Sequence, residues 1–228
     1  MKNIFYTLLL SLFFISAVNA QDACNPYYHL KQGRKWTVTN YNAKDKYQGK
    51  QYFEVLSLSE SAGKLTAKVM LKSYDKKDDL QLEKEVEFQC EDGVVYMDMG
   101  QYVPDETLEA FKDMDVTMDI DQVSFPESLE VGQQLPEGGV KMTINGPMPM
   151  TIDIRVKDRK VMAEESISSD AGTFDAFKIN SITEIKMMGT REMKNVEWIA
   201  KNVGMVRSET YDKNGKLKYY SVLTDFQD

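Results

Sequence analysis

The chain has 228 residues, 42% hydrophobic and 28% charged, which is a globular rather than a disordered or fibrous composition. A net charge of -8 argues against a nucleic-acid binder, which must neutralise a run of phosphates, and against docking on an anionic lipid surface. With one His and two Cys, most catalytic and metal centres built from those residues are excluded.

The N-terminus opens with Lys2, continues through an apolar run from Ile4 to Val18, and reaches small residues in Val18-Asn19-Ala20. This pattern predicts a secretory signal peptide over residues 1–20, because the run is about 15 residues where a membrane span needs about 20. Gln21 follows the expected cleavage point, so the Cys that a lipoprotein needs there is missing. The mature chain, residues 21–228, is expected to be periplasmic or extracellular. In an oxidising compartment Cys24 and Cys90 are expected to form a disulfide; the alternative, a redox or thiolate pair, lacks CxxC spacing. Closing a loop of about 67 residues stabilises by roughly 4 kcal/mol in the chain-entropy model.

The mature sequence reads as strands and hairpins. Weak alternation at Trp36–Tyr41 is followed by Leu65, Ala67, Val69 and Leu71 on one parity. Leu80, Leu82, Val86, Phe88 and Cys90 then oppose Gln81, Glu83, Glu85, Glu87 and Gln89, a sheet with one wet face. Asp92-Gly93 makes a tight turn into Val94–Met99. Pro104-Asp105-Glu106 begins an expected short helix near 104–112. Residues 126–139, rich in Pro and Gly, read as a loop with one short strand. Ile152, Ile154 and Val156 oppose Asp153, Arg155 and Lys157; weaker strands follow at Phe174–Met187, Val196–Ala200, Met205–Tyr211 and Leu217–Leu223. Tyr41-Asn42, Tyr74-Asp75 and Tyr211-Asp212 each lead into a polar turn, and these read as three hairpin tips with similar chemistry. The expected fold is all-β and mainly antiparallel: one curved sheet of about ten to twelve strands, forming an open or half β-barrel.

Few constellations point to chemistry. Asp113, Asp115, Asp119 and Asp121 depart from a calcium loop at Met118 and Ser124, so they read as the solvated face of a strand. His29 has no second His for a metal pair. Methionine is abundant, with 14 residues. Met97/Met99 and Met148/Met150 place thioethers at a spacing that suits Cu(I); gap-filling in the core is the plainer reading, and an apolar ligand site lies between the two. If the bends around Asn145-Gly146-Pro147 and Gly189 meet at one rim, Met142, Met148, Met150, Met187, Met188 and Met193 form a soft apolar mouth.

Three stretches, YYHLKQGRKW (27–36), AGTFDAFKI (171–179) and WIAKNVGMVRSE (198–209) followed by YDKNGKL, resemble the TapB-like family of secreted bacterial proteins, a domain of unknown function. The resemblance implies an exported, mostly antiparallel β protein from a diderm, Gram-negative bacterium, and it supplies no catalytic residues. A broader architectural similarity links the chain to LolA-type half-barrel carriers, whose concave sheet holds acyl chains.

These readings lead to an exported, non-enzymatic binding protein for an apolar ligand or an envelope partner, with no cofactor, no metal site and no transmembrane segment. Two alternatives stay open: a carbohydrate-active enzyme using two carboxylates, and an assembly protein pairing through a sheet edge.

Overall fold

The computed structural model describes residues 24–28, 30–97, 100, 114–146 and 149–228. The expected signal peptide at 1–20, His29, the expected helix near 104–112, Met99, Asp113 and Met148 lie outside these residues.

All strands belong to one antiparallel sheet. They are β1 (Lys35–Asn42), β2 (Tyr47–Ser61), β3 (Lys64–Asp75), β4 (Leu80–Glu91), β5 (Val94–Met97), β6 (Asp115–Asp121), β7 (Val123–Phe125), β8 (Gly138–Asn145), β9 (Met150–Ser169), β10 (Gly172–Lys186), β11 (Thr190–Ala200), β12 (Gly204–Tyr211) and β13 (Leu217–Gln227). Their spatial order is β6-β8-β9-β10-β11-β12-β13-β1-β2-β3-β4-β5-β7, a thirteen-stranded sheet curled into a nearly closed barrel. No α-helix occurs among the described residues, and so none there is long and apolar enough to cross a membrane. The sheet has thirteen strands where the sequence predicts about ten to twelve; β7 has no counterpart in that expectation, and it lies at the edge opposite β6 although one residue separates them.

Alternation places the core. Ala67, Val69 and Leu71 of β3 and Val86, Phe88 and Cys90 of β4 are buried together with Val55 and Val95. A second cluster gathers Val123, Phe125, Leu129, Leu135, Val161, Ile179 and Ile199. Leu129 and Leu135 come from the loop at 126–137, which replaces β8 as the neighbour of β9 beyond Val156: Val161 N donates to Gln133 O at 2.9 Å, and Leu135 N donates to Arg159 O at 2.8 Å.

The three look-alike tips share one hydrogen-bond pattern. Asn42 Oδ1 accepts from Lys44 N (2.9 Å) and Lys46 N (3.3 Å), Asp75 Oδ1 from Lys77 N (2.7 Å) and Asp79 N (3.1 Å), and Asp212 Oδ1 from Asn214 N and Lys216 N (both 3.0 Å). A short side-chain acceptor beside its own turn explains the recurrence of Asn or Asp at this place.

At the other end of the barrel the N-terminal segment is tied across the opening. Cys24 and Cys90 form the expected disulfide. Buried Asn25 donates through Nδ2 to Gly93 O (2.7 Å), Phe125 O (3.2 Å) and Pro126 O (3.2 Å), and its Oδ1 accepts from Tyr27 N and Tyr28 N. Tyr27 is buried edge-on against Phe177, with ring centroids 6.0 Å apart. Asn202 N, in the β11–β12 turn, donates to Pro26 O at 2.7 Å.

Candidate functional site

The two core clusters do not fill the barrel. Between them lies a cavity of about 360 Å³. Trp36 of β1 stacks on Phe53 of β2 in its wall, with ring centroids 5.0 Å apart and planes within 6°. Tyr28 packs on Phe125 at 5.0 Å, and Phe88, Met97, Val156 and Ile199 complete much of the apolar surface. Because Leu30, Arg34, Val203 and Gly204 also line it, the cavity reaches the end of the barrel that the N-terminal segment crosses. Arg34 is held there by Asp228, which accepts from its Nε and Nη2, and by Asn202 O at 2.8 Å.

Besides Arg34, two charged side chains stand in the largely apolar wall, Arg159 of β9 and Glu197 of β11. Arg159 owes its inward position to a bulge. Lys157 pairs with Ile182 and Lys160 with Asn180, so Asp158 and Arg159 together oppose the single residue Ser181. Asp158 takes φ +53°, a left-handed conformation that Asp tolerates better than most residues. Arg159 is 2% exposed. Its Nη1 donates to Ser124 O (2.8 Å) and Pro136 O (2.5 Å), and its guanidinium lies 4.6 Å from the Phe125 ring centroid. Its Nη2 is buried with no hydrogen-bond partner. Burial pushes the guanidinium below its usual pKa, and the charge of Glu197 pulls it back. Glu197 as a residue is half-buried, and because its carboxyl stands in the cavity wall away from bulk water, loss of hydration pushes that carboxyl up, partly offset by the positive charge of Arg159.

The methionines singled out from the sequence lie elsewhere. Met142 is buried on β8, Met150 and Met193 are half-buried, and Met187 and Met188 are 54% and 90% exposed on the β10–β11 turn. The β8–β9 and β10–β11 turns do lie at one end of the barrel, but none of these residues lines the cavity, whose methionines are Met97 and Met205. Sequence reading missed Arg159, because strict alternation from Val156 puts it on the wet face; Asp158 within a strand is the one local sign of the bulge.

Asp115, Asp119 and Asp121 are exposed on β6; Asp115 accepts from Asn145 and Asp121 pairs with Arg155. Among the described residues no group of three or more His, Cys, Asp or Glu side chains is gathered as a metal site would require. Two-carboxylate hydrolysis needs both acids in one cleft; Glu197 is the one acid among the described residues lining this cavity.

Two crystal structures share the fold. A protein from Bacteroides fragilis, called an exported protein with a YmcC-like fold, is 24% identical, with a TM-score of 0.68 over 87% of this chain and 97% of that one. A protein from Parabacteroides distasonis, called a lipoprotein, is 23% identical, with a TM-score of 0.70 over 90% of this chain and 98% of that one. No curated relative matches the chain. The model of one family of unknown function matches residues 31–223, from just before β1 into β13, and on that match the chain belongs to the DUF3108-like family.

Proposed function

We propose that this is an exported, non-enzymatic binding protein that holds a small apolar molecule inside its barrel. The observation that carries the reading is the cavity of about 360 Å³ between two well-packed clusters. Protein interiors rarely leave such space unfilled, and ligand sites are typically apolar hollows with a few polar groups. At about 30 Å³ per atom the volume suits roughly a dozen non-hydrogen atoms.

Export is supported by residues 1–20, by the Cys24–Cys90 disulfide, and by the resemblance to TapB-like secreted proteins. The fold neighbours called an exported protein and a lipoprotein agree with it. Periplasmic or extracellular residence in a diderm bacterium is the corresponding proposal.

Native mass spectrometry of gently extracted protein, together with titration of a fluorescent fatty acid, tests the binding role. Bound mass, or saturable binding that Met205→Trp blocks by filling the cavity, is the expected result. Protein that is reproducibly empty and binds no probe overturns it.

Assembly through a sheet edge is a second reading, favoured by β6, whose outer side has no strand partner among the described residues. Size-exclusion chromatography with light scattering tests it, and a monomer at all concentrations ends it.

A further inference from the structure

Arg159 is an unusual residue for an apolar wall. Its Nη1 is fully used, holding Ser124 O of β7 and Pro136 O of the following loop, while Nη2 has no partner. A buried donor left unpaired is costly, and a buried positive charge more so. The strand is bulged at Asp158, and that bulge turns the guanidinium inward rather than to water. No hydrogen bond joins Arg159 to Glu197; the two act on each other through charge alone.

A buried cation with an unpaired donor in the wall of a largely apolar cavity favours a molecule with one anionic end and an apolar remainder. A carboxylate accepts well from a guanidinium, and the contact strengthens where water is excluded. From these observations we propose that the cavity takes a medium-chain monocarboxylate, with its carboxylate drawn to the Arg159 guanidinium and its chain along Phe53, Phe88 and Ile199. This rests on the reading of the barrel as a binding protein and names the class of its ligand. A saturated acid of about ten carbons has the dozen or so non-hydrogen atoms that fit.

Glu197 sets the conditions. The ionisable groups lining the cavity among the described residues are Tyr28, Arg34, Arg159 and Glu197, and Arg34 is already engaged by Asp228. An ionised Glu197 competes with the ligand for Arg159, whereas a protonated one leaves it free. Burial favours the protonated form. Carboxylate binding therefore weakens as pH rises through the raised value of Glu197.

Isothermal titration of the purified protein with decanoate, decan-1-ol and decyltrimethylammonium tests the assignment. Decanoate is expected to bind about tenfold or more tighter than decan-1-ol, the scale of a charge-assisted hydrogen bond, and the cation more weakly than either. Arg159→Met should equalise decanoate and decan-1-ol. Because Arg159 also holds two carbonyls, that variant can fail to fold; Glu197→Gln, which touches neither, should strengthen decanoate binding at high pH and leave decan-1-ol unchanged. Equal binding of decanoate and decan-1-ol by the unaltered protein overturns the carboxylate assignment and leaves apolar binding standing. If neither ligand binds, the binding-protein reading falls with it.

Discussion

Asp121 and Val123 flank a single residue, Gln122, yet lie on opposite edges of the sheet. Asp121 pairs with Gly139 on β8, and Val123 pairs with Met97 on β5. The barrel is therefore closed by the covalent chain where strand pairing stops. Arg155 of β9 reaches across β8 to pair with Asp121, tying β6 to the sheet on its own side of this seam. Gly138 and Gly139 make room for it. A Cβ on Gly138 would stand 2.8 Å from Val123 N, and one on Gly139 would stand 2.2 Å from Ile154 O.

Gly139→Ala should destabilise the protein by about 1–3 kcal/mol, the usual cost of overpacking, because the obstructing atom is backbone and cannot swing away. Gly63→Ala meets no neighbouring atom and carries only the left-handed backbone cost of φ +80°, about 1 kcal/mol. Urea unfolding of both variants checks the order. Equal midpoints would show that the β8–β9 pairing yields.

The cap over the cavity depends on one amide. Asn25→Asp keeps the acceptor for Tyr27 N and Tyr28 N but replaces a donor shared by three carbonyls with a charge facing them. A loss of about 2–4 kcal/mol is expected from the unsatisfied carbonyls and the buried charge. Because Tyr28 and Leu30 line the cavity, hydrogen exchange should also accelerate across residues 25–34. An Asn25→Asp variant with wild-type stability and exchange would show that the disulfide alone holds the segment.

At the opposite end, Asp75→Ala and Asp212→Ala each remove an acceptor for two turn amides. About 1 kcal/mol per site is expected, as for other side-chain caps on exposed backbone. Faster amide exchange at Lys77 and Asp79 in the first variant, and at Asn214 and Lys216 in the second, would localise the effect. Unchanged exchange at these amides would refute the shared role.

What the sequence made legible was local. The Asn or Asp of each tip acts on amides within four residues, so the three tips could be recognised as alike before their contacts were known. Parity along β4 put Cys90 inside with Val86 and Phe88, although Leu80, at the tip end of the same strand, is exposed. The seam at Gln122 was not legible, because it depends on β5 and β8 arriving from distant parts of the chain. Arg159 was hidden for a different reason: one extra residue in β9 reverses the parity that Ile152, Ile154 and Val156 establish. The methionine-rich turns were visible as composition, but composition does not say which end of a barrel is hollow. The hollow is lined instead by isolated residues from many strands, such as Trp36, Phe88 and Glu197.

Glu184 and Glu197 should give the stability profile opposite slopes. Lys186 at 2.8 Å and Lys157 at 2.9 Å hold the Glu184 carboxyl at about 2, below its ordinary 4.5. A lowered folded pKa means the unfolded chain takes up the proton first, so the contribution of Glu184 is present above pH 4.5 and is lost as pH falls toward 2. Glu197 is the reverse case, pushed above 4.5 by burial against the partial compensation of Arg159. The folded protein holds that proton longer than the unfolded chain, so this contribution is full below pH 4.5 and is lost as pH rises through the raised value. Denaturant midpoints measured from acid to neutral pH should rise and then fall. Glu184→Gln should make the acid limb shallower, since Glu54, Asp78, Glu165 and Asp212 are also held low and keep part of it, and should leave the upper one. Glu197→Gln should flatten the upper limb and make the protein more stable than the parent at neutral pH, since it removes the charge that burial disfavours. A Glu197→Gln variant that is less stable at neutral pH would mean that the ionised carboxylate is itself a net stabiliser of Arg159, and the sign assigned to this pair would be wrong.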